Sequence, residues 1–166
     1  MQTRPHRQET AMFRPFLALA LMTAPALAQT ADQEARLADA VAAMEAQSFA
    51  FYASIDPRFV PILTPPEDAP DFSDNRRCFM ARLEEDGGPD MLEDYITALE
   101  EISATEITTL LDLGANVPEV MMSDVVFAAS SECGSLSYST SKMVTPEFLA
   151  LMDEPEVMNA LMGQAR

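Results

Sequence analysis

The sequence is short of the residues that most catalytic sites require. It contains one histidine, His6, one lysine, Lys142, and no tryptophan among 166 residues. Because His6 falls in a segment that we expect to be removed, the remaining chain cannot form a Ser-His-Asp or Cys-His site, nor a histidine-ligated zinc, copper or iron centre. Glycine-rich phosphate loops and dinucleotide fingerprints are also absent. We therefore expect a protein that is not an enzyme and carries no cofactor.

Long apolar runs are equally scarce. No segment after residue 28 approaches 18 consecutive apolar residues, so the sequence predicts no membrane span there. The apolar run Phe16–Ala24 follows three arginines and precedes an Ala-Leu-Ala triplet, which is typical of a secretory signal peptide. The pattern predicts cleavage between Ala28 and Gln29, removal of residues 1–28, and a periplasmic or secreted protein.

Basic residues are few in the part of the chain that would remain. Residues 29–166 hold 26 acidic and seven basic side chains, a net charge of −19. This surplus disfavours nucleic acid, whose phosphates require clustered lysine and arginine, and anionic lipid surfaces. It favours a soluble monomer. A cationic partner, a divalent cation or an uncharged partner all remain open.

Cys78 and Cys133 are the only cysteines. In an exported chain, an even pair predicts one structural disulfide. On the chain-entropy model, closing a loop of this length would stabilise the fold by about 4 kcal/mol. We place Cys78 on the inner face of a helix, and we expect one disulfide-stapled domain over residues 29–166.

Apolar residues recur at helical spacing along most of this domain, which predicts a mainly α, single compact domain of five to seven short helices. The first helix begins with a capping box in which Thr30 is the N-cap and Gln33 returns the hydrogen bond. Ser73 is expected to cap the second, Gly87 and Gly88 to end it, and Pro89 to begin the third. The expected helices cover residues 30–55, 73–85, 89–102, 105–113, 118–127, 145–152 and 155–162.

Two segments are expected not to be helical. Five prolines in residues 57–70 predict a proline-rich extended segment laid over the core. Strict alternation of apolar and polar residues predicts a short strand near 135–141. Residues 119–131 remain open between helix and strand, because the β-branched pair at 125–126 favours a strand.

Two short strings match catalytic elements of the penicillin-binding proteins and class A β-lactamases, S-D-N at 73–75 and S-x-x-K at 139–142. In that family S-x-x-K comes first, whereas here the order is reversed, K-T-G is absent and the chain is too short. The alternating pattern also places Ser139 and Lys142 on opposite faces of a solvated segment. We therefore interpret Ser73 as a helix cap and Lys142 as a surface charge.

Carboxylates and methionines remain as candidate functional groups. Asp68, Asp71 and Asp74 lie in a proline-interrupted stretch and are candidates for Ca²⁺, which takes six to eight oxygen ligands. The alternative interpretation is a solvated acidic loop. Two carboxylates also suffice for glycoside hydrolysis, but the sequence singles out no pair. The nine methionines after residue 28 predict core packing or, if exposed, a groove for an apolar ligand or partner helix.

These observations predict an exported acidic protein that acts by binding. The first hypothesis is a periplasmic interaction or accessory protein with a protein partner in the cell envelope. The alternative is a module for a small apolar ligand or a divalent cation. A carboxylate-based hydrolase is the third hypothesis.

Overall fold

The computed structural model describes residues 24–109, 112 and 117–163, and its described side chains begin at residue 31. The described parts are mainly helical and contain no strand, which confirms the predicted fold class. The described residues form eight α-helices, more than the five to seven expected, and the first is long rather than short. The elements are α1 (Ala24–Ile55), α2 (Phe59–Leu63), α3 (Ser73–Gly87), α4 (Pro89–Ser103), a 3₁₀ helix (Glu119–Met122), α5 (Asp124–Cys133), α6 (Tyr138–Met143), α7 (Pro146–Met152) and α8 (Pro155–Gly163).

Helix α1 is the central element of the fold, because it contributes side chains to both hydrophobic cores of the described residues. Its first half packs Leu37 and Ala40 against α3, α4 and α5. Its last turns pack Phe51 and Tyr52 against α2, α7 and α8. Each fully buried large apolar side chain stabilises the fold by about 1.5–3 kcal/mol. The middle of α1, residues 41–48, lies between the two cores and has only partial cover.

The predicted N-terminal capping box of α1 is wrong. The helix already begins at Ala24, so Thr30 lies inside it. The side chain of Gln33 is buried, and its Nε2 donates to Glu93 Oε2 at 3.2 Å instead of returning to a cap. The predicted cleavage bond between Ala28 and Gln29 lies within α1, and residues 1–23 lie outside the described residues. Export therefore stays a prediction.

The proline-rich segment is not extended throughout, because α2 forms inside it. Pro61 is the third residue of α2, where the backbone N–H has no intrahelical partner, so proline is tolerated. Phe59, Ile62 and Leu63 are buried, which confirms that the segment lies over the core. The predicted cap of α3 is also wrong: Ser73 is its first helical residue, and its N–H and hydroxyl donate to Asp71 at 2.9 and 2.7 Å.

The middle of the chain differs from the expected helix over 105–113. The described residues there are not helical, and Asp112 accepts hydrogen bonds from the N–H groups of Thr108 and Thr109 at 2.9 and 2.6 Å. Such local bonds compete with a helix. The expected helix from Pro118 is two elements, the 3₁₀ helix and α5, because Ser123 caps α5 through the N–H of Val126. Residues 124–133 are thus helix, not strand.

The predicted strand near 135–141 is replaced by helix α6. Ser137 and Thr140 form a capping box, in which the Ser137 side chain accepts from Thr140 N and the Thr140 side chain accepts from Ser137 N. Two satisfied helix-terminal groups outweigh a short alternating pattern. The other local signals were right: Gly88 ends α3 with φ +86°, Pro89 begins α4, and Thr145 caps α7.

Candidate functional site

A groove opens over the exposed middle of α1, between the two cores. Its volume is about 440 Å³, which lies in the range of small-molecule and side-chain binding sites. Helices α1 and α4 form its floor, and the segment from the end of α5 to α6 forms its wall. The lining residues are Val41, Met44, Glu45, Ser48, Tyr95, Leu99, Ser130, Gly134, Ser135, Leu136, Ser137, Thr140 and Met143.

The wall at residues 134–137 is tied to α3 by three contacts. The Cys78–Cys133 disulfide joins α3 to the last residue of α5, with 5.7 Å between the Cα atoms. Asn75 Nδ2 donates to the Cys133 carbonyl at 2.8 Å, and Arg76 Nη1 donates to the Leu136 carbonyl at 3.1 Å. The two hydrogen bonds satisfy backbone carbonyls just where α5 ends, and the three contacts together fix the wall against α3.

Gly134 allows the chain to turn sharply into this wall. Its φ of +78° lies in the left-handed region that disfavours residues with a side chain. A Cβ at this position would also lie 3.3 Å from Asn75 Nδ2. The glycine thus permits both the turn and the close approach of α3.

Glu45 is the one carboxylate among the described lining residues, which include no lysine, arginine or histidine. Its Oε1 accepts a hydrogen bond from the backbone N–H of Ser139 at 2.6 Å. This bond joins α1 to α6 and satisfies a free N–H in the first turn of α6, where a negative charge is favoured. No described lysine or arginine lies within ion-pair distance of Glu45. Its second oxygen, Oε2, has no partner among the described hydrogen bonds.

The groove floor is apolar and carries one phenol. Tyr95 is 6% exposed, and burial raises its pKa to about 12. It is therefore uncharged at neutral pH. Leu99 is also buried, whereas Val41, Met44 and Leu136 are partly exposed and pack at the edge of the first core. The floor is thus a surface on which the apolar part of a ligand can pack.

The structure does not bring the calcium candidates together. Asp71 accepts from Ser73, whose hydroxyl and N–H lower the pKa of the carboxyl. Asp74 forms an ion pair with Arg77 at 2.7 Å, and Asp68 is exposed on the loop between α2 and α3. Within the described ranges, no three His, Cys, Asp or Glu residues are grouped as metal ligands. In the acidic stretch, Asp71 accepts hydrogen bonds at the start of α3 and Asp74 pairs with an arginine.

Both cysteines of the predicted pair lie at disulfide distance. The predicted inner-face position of Cys78 is wrong, because Cys78 is exposed, whereas Cys133 is buried, at 9% exposed. Cys78 lies one residue before Phe79 and two before Met80, which take the inner positions of α3. One of the two cysteines of the disulfide, Cys78, is therefore exposed to solvent.

The S-x-x-K string is placed differently from the prediction. Ser139 and Lys142 lie three residues apart in α6, so they share a side of the helix. Ser139 is 1% exposed, and its Oγ lies 3.4 Å from the Leu63 carbonyl. Lys142 Nζ lies 5.1 Å from the centroid of the Tyr138 ring. A hydroxyl buried in this way is not open to a substrate.

Sequence reasoning missed Glu45 as a site residue. The one available signal was its position four residues after Val41, beside the apolar stripe of α1, in a stretch otherwise rich in alanine. An acid beside a buried stripe requires a partner. Its partner, Ser139 N, is 94 residues away and cannot be identified from spacing.

None of the helices within the described ranges is long and apolar enough to cross a membrane. Comparison of the chain with protein-family models, with curated proteins and with solved structures found no match, so the fold and the groove are interpreted from the chain's own residues.

Proposed function

We propose that this chain is a non-catalytic interaction protein of the cell envelope that holds part of a protein partner in the groove over α1. The observation that carries the proposal is the groove itself, which is open, mostly apolar and tied in place by the disulfide and two side-chain hydrogen bonds. A wall fixed in this way keeps a binding surface pre-formed, which lowers the entropic cost of association.

The titratable groups support binding rather than acid catalysis. Every described carboxyl with a shifted pKa is shifted downward. Hydrogen bonds from Arg36 lower the pKa of Glu93 and Glu100, and those from Arg58 lower the pKa of Asp56. A glycosidase acid requires the opposite shift. Glu93, Glu100 and Asp56 thus serve as ion-pair partners, whereas Asp71 and Asp112 chiefly accept local hydrogen bonds from Ser73, Thr108 and Thr109.

The surface charge favours a basic partner. All five described arginines form ion pairs with carboxylates. Sixteen other described carboxylates have no lysine or arginine within 4.0 Å among the described residues. A surplus of one sign raises the association rate of an oppositely charged partner.

Filling the groove tests the proposal. Ser48→Phe adds a ring inside the groove, and Ala42→Phe adds the same ring at an exposed position of the same helix. We expect immobilised wild type and Ala42→Phe to retain the same envelope protein, quantified by mass spectrometry, and Ser48→Phe to lose it. Equal retention by the two variants would refute the groove as the contact surface.

A second candidate function is the binding of a small apolar ligand. The volume of about 440 Å³ favours it, since sites for such ligands span roughly 300–1,000 Å³. Native mass spectrometry of the purified protein would show a bound small molecule that is absent from Ser48→Phe. A ligand found in this way, with no retained protein, would replace the first proposal.

A further inference from the structure

We propose that Glu45 makes the groove selective for a lysine side chain of the partner, whose four-carbon stem packs on the apolar floor while its ammonium binds Glu45 Oε2. This inference rests on the proposed function, because it names the group that the partner would place in the groove. It goes further in assigning one residue as the determinant of specificity.

The charge of the groove selects a cation. Glu45 is half-buried and is the one carboxylate among the described lining residues, which include no lysine, arginine or histidine. A carboxylate with one oxygen unpartnered among the described residues, on an otherwise uncharged lining, attracts a cation. Lys142, the single lysine of the chain, places its Nζ on the Tyr138 ring instead.

The geometry of Glu45 favours lysine over arginine. Its Oε1 is already held by the Ser139 N–H at 2.6 Å, which leaves one oxygen for a ligand. Arginine binds carboxylates best through two parallel hydrogen bonds, whereas an ammonium is a compact point charge that needs one. Ser48 lies three residues after Glu45 on the same side of α1 and also lines the groove. Its hydroxyl is a second acceptor for the ammonium.

The apolar lining suits the stem of a lysine. Val41, Met44 and Leu136 are partly exposed at the groove, and Leu99 lies at its floor. Lysine commonly buries its methylene stem along apolar surface while its charged end meets a polar group. The groove provides both environments, because apolar side chains and Glu45, whose Oε2 has no described partner, line it together.

The first test uses n-butylammonium, which reproduces a lysine side chain, and n-butanol, which has the same stem without the charge. Binding is followed by NMR shifts of the groove residues. We expect n-butylammonium to bind about tenfold more tightly than n-butanol, as a charge-assisted hydrogen bond at a half-buried site implies. Absence of groove shifts with n-butylammonium, or equal affinity for the two probes, would overturn the proposal.

The matched variants are Glu45→Gln and Asp39→Asn. Glutamine keeps an oxygen for the Ser139 N–H, so α6 stays anchored while the charge is lost. Asp39→Asn removes the same charge from an exposed position of α1 outside the groove. We expect Glu45→Gln to abolish the preference for n-butylammonium and Asp39→Asn to retain it. An unchanged preference in Glu45→Gln would contradict the role assigned to Glu45.

A third probe, N-acetyl-lysine-N-methylamide, tests whether the cation belongs to a polypeptide. Binding at least as tight as that of n-butylammonium supports a lysine of a protein partner, and exclusion of the larger probe would overturn that assignment in favour of a free amine. The outcomes separate the two proposals. If Ser48→Phe abolishes partner retention and Glu45→Gln shows no loss of cation preference, the proposed function stands and this inference fails.

Discussion

At the residue scale, the structural contact of Glu45 and its proposed role in binding can be separated by substitution. Its Oε1 accepts a hydrogen bond from the N–H of Ser139, a residue that is only 1% exposed. Its side chain also lines the groove. Alanine removes both features, whereas glutamine removes only the charge. The structural role therefore depends on the acceptor oxygen, and the proposed binding role depends on the charge.

We expect Glu45→Ala to lower the free energy of unfolding by about 1–3 kcal/mol, because it leaves the Ser139 N–H without its acceptor. Glu45→Gln is expected to stay within about 0.5 kcal/mol of the wild type, as most mild surface changes do. Urea unfolding measures both values. A Glu45→Gln variant as unstable as Glu45→Ala would show that the charge, not the acceptor, anchors α6.

Arg36 is the second residue whose contribution can be measured, because it joins α1 to α4. It binds Glu93 at 2.6 Å and Glu100 at 2.8 Å, and its hydrogen bonds lower the pKa of both carboxyls. The folded-state pKa of each glutamate lies below its unfolded value of 4.5. The ion pairs therefore stabilise the fold at pH values above 4.5. That stability is lost as pH falls through the lowered values.

The stability that Arg36 contributes should therefore decrease as the pH falls below about 4.5, the ordinary glutamate value. Arg36→Met keeps the stem of the side chain and removes the cation, so the difference between the urea midpoints of the wild type and the variant should shrink over the same range. Parallel pH profiles for the two proteins would mean that the ion pairs carry no net stability, as many exposed pairs do.

At the element scale, local signals predicted some helices and failed for others. Pro89 and the apolar spacing of α4 act within one helix, so sequence was enough to place it. Helix α6 forms where alternation predicted a strand, because the Ser137–Thr140 capping box outweighs alternation over a few residues. The groove could not be predicted, because it joins α1, α4 and the 134–137 wall, which are far apart in the chain. Only the packing of two separate cores against α1 leaves it open.

The disulfide is expected to set both the stability of α5 and the position of the groove wall. Cys78→Ser should lower the free energy of unfolding by about 2–5 kcal/mol, measured in urea without reductant. A thiol-reactive dye should label the native protein only after reduction, and it should then reach Cys78 readily because that residue is exposed. Labelling of two thiols before reduction would contradict the bond.

At the scale of the whole molecule, the dominant property is unbalanced negative charge. The net charge is −17 for the full chain. Repulsion among like charges destabilises a compact state. The ten ion pairs of the described residues are partly exposed and individually weak. Repulsion is therefore expected to outweigh the pairs.

Salt should consequently stabilise the protein. At 0.1 M, salt screens charges over about 10 Å, so we expect the urea midpoint to rise between low and high sodium chloride. Calcium and magnesium at matched ionic strength should give equal increases, because the acidic candidates Asp68, Asp71 and Asp74 are not gathered into one site. A falling midpoint would show that the ion pairs dominate. An extra gain at micromolar calcium would restore the cation-binding hypothesis.

The central claim, that the groove holds part of a protein partner, is tested most directly by photo-crosslinking in cells. A photoreactive phenylalanine analogue at Ser135 lies at the groove wall, and the same analogue at Ala42 lies on the exposed side of α1. The account predicts a discrete protein adduct from position 135 that is absent from position 42 and is lost when Ser48→Phe is added. The same adducts from both positions, or none from position 135, would contradict it.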